Sequence, residues 1–147
     1  MAGFSRHVIG RFPQLGNVSG EVVVDGLDTQ LLHLGPDLLE QNLRRAAAKF
    51  TLMNRLGIET MLLCSNVGTA RSGDEQLAAA QLRELGDLAE RFGVRVAYEA
   101  LAWGRFVDSY ETAARIMRLA DHPRIGVCLD SFHILSKGHN PEAIETI

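Results

Sequence analysis

The sequence predicts an α/β fold in which parallel strands alternate with helices, and three observations predict it. From Pro36 onward, helical and strand-like apolar patterns take turns. The strand candidates are nearly continuous apolar runs, as expected of parallel strands covered on both faces. Successive strand ends fall near Ser65, Glu99 and Asp130, about the 30 or more residues apart that one strand-helix-strand unit requires.

The elements follow in order. Residues 36–56 place Leu39, Leu43, Ala46, Ala47, Phe50 and Met53 at three- and four-residue spacings, which gives a helix one apolar face, and Gly57 stops it. Residues 58–64, with Met61, Leu62 and Leu63 in succession, form the first strand. Ser72 and Glu75 have capping-box spacing, and Leu82, Leu85, Ala89 and Phe92 stripe the helix behind them until Gly93. Val94, Val96 and Tyr98 alternate with Arg95, Ala97 and Glu99, so a second strand runs towards Leu101 and a Trp103-Gly104-Arg105 loop. Asp108 and Glu111 repeat the capping spacing before a helix carrying Ala114, Ile116, Met117 and Leu119, which His122-Pro123 closes. Residues 125–129 are the third strand, and Asn140-Pro141 caps a further helix. Residues 1–35 break this rhythm. They are Gly-rich and mixed, with short strand candidates at 21–24 and 29–34, and are set apart from the domain at 36–147.

Composition narrows the classes of function. A chain of 147 residues can bury roughly 68–70% of its unfolded surface, enough for one domain with a real core. Fifteen Lys and Arg against eighteen Asp and Glu leave a net charge of −3, so no strong field draws the chain to nucleic acid or anionic lipid. No apolar run approaches the 18 or so residues of a spanning helix, and residues 1–20 lack the apolar core of a secretory signal. Cys64 and Cys128 each lie in an apolar run and read as small core hydrophobes of a reducing, cytoplasmic protein. A Gly-rich phosphate loop, a nucleophile elbow and a paired-cysteine motif are all missing, which removes nucleotide, serine-hydrolase and structural-zinc readings.

In parallel α/β folds the ligand site lies beyond the carboxyl ends of the strands, so polar residues there come first. Glu99 is a carboxylate in an apolar strand, costly unless partnered; a metal ion is one such partner, and an ion pair with Arg or Lys is another. Asp130 ends the adjacent strand, although alone it reads as a turn residue. Together the two offer a hard oxygen site suited to magnesium or manganese, and an added nitrogen ligand would admit cobalt or zinc. His133 is a general base, a donor to substrate oxygen, or a loop histidine without a role. His7, His33, His122 and His139 have no comparable setting. Trp103 walls a pocket or merely packs, and Arg105 meets an anionic substrate or faces solvent.

Three segments carry a family resemblance: Leu63-Cys64-Ser65-Asn66, Tyr98-Glu99-Ala100-Leu101-Ala102-Trp103-Gly104-Arg105 and Cys128-Leu129-Asp130-Ser131-Phe132-His133-Ile134-Leu135. In order and spacing they closely resemble bacterial 3-dehydroshikimate dehydratases of the xylose-isomerase-like TIM-barrel superfamily, over about residues 36–147. The resemblance implies a partial TIM (β/α) barrel and a lyase that removes water from 3-dehydroshikimate to give protocatechuate. It implies that Glu99 and Asp130 bind a divalent metal (Mg, Mn or Co, with Zn admitted), which polarises the ketone as a base removes the α-proton. It places His133 at the substrate as a catalytic residue beside Glu99, with Ser65, Asn66, Trp103 and Arg105 as the substrate-binding candidates.

The departures shape a further expectation. Family barrels have eight strands in about 250 residues, whereas three strands are legible here. The arginine-bearing loop of the first strands is not recognisable in residues 1–35, and the chain stops at Ile147 before the strand ends that bear the family's other two metal ligands. A chain truncated at both ends is expected to have little or no activity alone and to self-associate through open sheet edges. A sugar isomerase or epimerase on the same barrel, or a non-catalytic fragment, are the competing readings.

Overall fold

The computed structural model describes residues 8–12, 16–18 and 34–147. The elements are β1 (Val8–Phe12), β2 (Gly16–Val18), α1 (Pro36–Leu56), β3 (Thr60–Cys64), α2 (Glu75–Arg91), β4 (Arg95–Glu99), α3 (Tyr110–Ala120), β5 (Ile125–Asp130), α4 (Ser131–Ser136) and a final 3₁₀ turn, Pro141–Thr146. Among the described residues the strands form one sheet, in the order β2-β1-β5-β4-β3. β3, β4 and β5 run parallel, each joined to the next by a helix.

The two faces of the parallel strands differ. Met61, Leu63, Val96, Tyr98, Ile125, Val127 and Leu129 pack with Phe50, Leu82, Leu85, Ala113 and Ile116 of the helices in one large core. The alternate positions Leu62, Ala97 and Cys128 form a small cluster of their own with Cys64. Because side chains alternate along a strand, Glu99 shares a face with Ala97, and Asp130 shares one with Cys128. The strands are buried on both faces, as their continuous apolar character requires.

Helix boundaries follow local chemistry. α1 begins at a proline in its first turn and ends at Gly57, whose φ of 71° is the left-handed conformation that glycine adopts without strain. α2 is capped by Asp74, which accepts from Gln76 and Leu77 N–H, and α3 by Ser109, which accepts from Thr112 N–H. The expected caps Ser72 and Asp108 are therefore corrected. Ser72 instead accepts from Asp74 N–H, and Asp108 pairs with Lys137 at 2.7 Å. In each case another residue able to cap lies one or two positions nearer the first turn.

The amino-terminal strands were not foreseen. β1 pairs antiparallel with β5, from Val8 opposite Asp130 to Arg11 opposite Val127, and β2 pairs antiparallel with β1. β5 is thus paired with β1 over residues 127–130, which removes one template for edge-to-edge pairing. The candidates at 21–24 and 29–34, apart from Leu34, lie outside the described residues with His7 and His33, and Leu34 itself is not in a strand. His133, for which a loop histidine was one reading, lies on α4, because Asp130 accepts from Phe132 N–H and caps the turn.

Candidate metal centre

Strand register builds the site. Cys64 lies opposite Glu99 and Glu99 opposite Cys128, and Asp130 is two residues further along β5 on the same face. α4 turns back at once from Asp130 and carries His133 over that rim. Glu99, Asp130 and His133 each offer a ligating atom, and these atoms lie within 4.8 Å of one another. Glu99 and Asp130 are each 5% exposed, so solvent does little to separate their charges. The two buried carboxylates are a donor set that fits a divalent cation, their hard oxygens suiting magnesium or manganese.

Hydrogen bonds orient the groups. Ala102 N–H donates to His133 Nδ1 at 3.1 Å, so the neutral ring carries its proton on Nε2. Trp103 and Phe132 both meet the His133 ring edge-on, at centroid distances of 5.0 and 5.2 Å. Trp103 is 60% exposed, so it projects beside the site instead of packing into the core. Cys64 Sγ lies 3.3 Å from Glu99 Oε2, and Cys128 Sγ lies 3.7 Å from Oε1. Burial, reinforced by the charges of Glu99 and Asp130, pushes the Cys128 thiol pKa well up and keeps it protonated.

The remaining candidates hold the neighbouring loops. Ser65 Oγ accepts from Leu101 N–H at 3.0 Å. Asn66 Oδ1 accepts from the N–H groups of Gly68, Thr69 and Ala70, while its Nδ2 donates to Thr69 Oγ1. Arg105 N–H donates to Asn66 O, and its guanidinium donates to Gly68 O and lies over the Phe106 ring. Gly104 permits this closeness, since a Cβ there would lie 2.0 Å from Val107 O and 2.6 Å from Ser65 Oγ. The loops after β3 and β4 are thereby stitched together, with Trp103 at their crest.

Sequence reasoning missed Phe132 and the thiols that bracket Glu99. The cysteines had a signal: each falls at or near a strand end, and in-register parallel strands bring such residues side by side. Phe132 had none without the helix that follows Asp130.

A sequence profile of the family described as xylose isomerase-like TIM barrel matches residues 18–147. The chain belongs to this family. It is 51% identical over 111 residues to a 3-dehydroshikimate dehydratase of Pseudomonas putida, covering 76% of this chain and 18% of the relative. A solved xylose isomerase-like TIM barrel/4-hydroxyphenylpyruvate dioxygenase fusion protein superposes with a TM-score of 0.78 at 48% identity, over 80% of this chain and 19% of that one. The fold also matches the crystal structure of IOLI protein with a binding zinc atom, with a TM-score of 0.70 at 21% identity, over 80% of this chain and 44% of that one. The family's parallel β/α units are those seen here, and β1 and β2 add an antiparallel edge to them. Among the described residues no helix is long and apolar enough to cross a membrane.

Proposed function

We propose that the chain carries the metal-holding part of a lyase site that dehydrates 3-dehydroshikimate to protocatechuate. The observation that carries this reading is the convergence of Glu99, Asp130 and His133 within 4.8 Å at the carboxyl rim of the sheet. Glu99 and Asp130 would hold the cation, magnesium, manganese or cobalt, with zinc as a further candidate. When bound, such an ion supplies positive charge where negative charge develops on a substrate carbonyl oxygen.

The chain's own groups do the rest. His133 moves a proton at Nε2, with Nδ1 anchored on the Ala102 amide. Trp103 gives a planar substrate an apolar wall, Arg105 stands in the same loop to meet a carboxylate, and Ser65 and Asn66 shape the rim through the loops they bind. Support for the substrate comes from the relative of Pseudomonas putida, of which the chain spans 18%. The free thiols of Cys64 and Cys128 suit the cytoplasm.

The test combines a Mn²⁺ titration with an assay for protocatechuate from 3-dehydroshikimate. One Mn²⁺ per chain is expected, and any protocatechuate formed from 3-dehydroshikimate disappears with Asp130→Asn. Mn²⁺ binding that ignores both Glu99→Gln and Asp130→Asn would overturn the metal reading. Exchange of a keto sugar's α-hydrogen with solvent, without protocatechuate, would make the chain an epimerase.

A further inference from the structure

Cys64, Glu99 and Cys128 form a straight row across three adjacent parallel strands. β4 is the middle strand, so the thiols reach the carboxylate from opposite sides, one to each oxygen, at 3.3 and 3.7 Å. Neighbouring strands lie about 4.8 Å apart, which separates the two cysteine backbones by roughly 10 Å. That exceeds the reach of about 7 Å that a disulfide spans, so the pair cannot close on itself. What the row offers is a donor on each flank of one buried carboxylate, a service no alkyl side chain of similar volume provides.

We propose that Cys64 and Cys128 are positioning residues for Glu99, fixing the plane of its carboxylate across the sheet and thereby setting the affinity of the cation site. The proposal rests on the metal reading above and deepens it. A carboxylate on a flexible side chain samples several rotamers, and each unproductive one weakens binding; outer partners that hold a ligand typically contribute 10–100-fold in affinity. Sulfur suits the task because its long hydrogen bonds span the strand spacing with a one-carbon side chain. A serine hydroxyl at the same place keeps the donor but shortens the reach.

The test is Mn²⁺ affinity of Cys64→Ala, Cys128→Ala and the matching Ser variants, together with the Glu99 carboxylate stretch in the infrared, assigned by difference from Glu99→Gln. The Ala variants are expected to bind about 10–100-fold more weakly and to shift and broaden that stretch, and the Ser variants to recover part of both. Cys64 is half-buried, so Cys64→Ala decides the matter should Cys128→Ala fail to fold. Ala variants with wild-type affinity and an unmoved stretch would overturn the proposal. If the wild type binds no Mn²⁺, the metal reading falls, and the stretch in the metal-free protein still decides whether the thiols hold Glu99.

Discussion

Each rim of the parallel sheet carries one histidine beside two carboxylates, and the two groups behave differently. At the amino rim, His122 points Nε2 at Asp87 and Glu90, 3.3 and 4.0 Å away, and accepts from Arg124 N–H at Nδ1. The carboxylates there are on the surface, with side chains 64% and 58% exposed, so water and salt screen them. At the carboxyl rim, His133 meets Glu99 and Asp130, and all three are buried. Identical residue types therefore make a structural latch at one end and the proposed cation site at the other. Burial of the carboxylates makes the difference, because charges removed from water must be balanced locally.

The largest predicted effect separates the rims directly. Asp130→Asn should weaken Mn²⁺ binding by about 100-fold or more, whereas Asp87→Asn should leave it unchanged, as a calorimetric titration would register. In chelator the same Asp130→Asn change should raise the melting temperature, since it removes one of two close, buried like charges while Asn preserves the cap of α4. A melting temperature lowered in chelator would contradict repulsion between the two carboxylates.

Much of this contrast was legible in the sequence, and what was not had a physical cause. The α1 boundaries, residues 36–56 ended by Gly57, followed from periodicity and a left-handed stop. β4 followed from apolar alternation and β5 from an apolar run, and Glu99 and Asp130 from being charged where the strands end. β1 was not legible, because a short strand paired antiparallel to β5 depends on a partner more than a hundred residues away. His122 had no visible setting either: its partners lie on α2, and only the packing of that helix on the α3–β5 turn brings them together. Cys64 and Cys128 lie in an apolar cluster, as expected of small core hydrophobes, and what hydropathy does not encode is the register that sets both thiols against Glu99.

The second effect lies at the amino rim. A Cβ at Gly86 would lie 2.6 Å from the His122 ring, closer than packing allows. Gly86→Ala should destabilise the fold by about 1–3 kcal/mol despite the better helix propensity of alanine, without changing Mn²⁺ affinity. In a His122→Ala background most of that penalty should vanish, and denaturant melts of the double-mutant cycle would show it. Full additivity would mean that the ring is not what Gly86 accommodates.

The smallest effect belongs to the scaffold common to both rims. Asp74→Ala removes the side chain that accepts from Gln76 and Leu77 N–H at the start of α2, and should cost about 1 kcal/mol in the same melts. Asp74→Ser should recover most of it, and neither variant should move the cation affinity.

The most direct measurement is an anomalous-scattering map from crystals soaked in Mn²⁺. The account predicts a peak within coordination distance of Glu99 and Asp130 and none between His122 and Asp87. A peak only at the amino rim, or none at the carboxyl rim in soaked crystals, would contradict it.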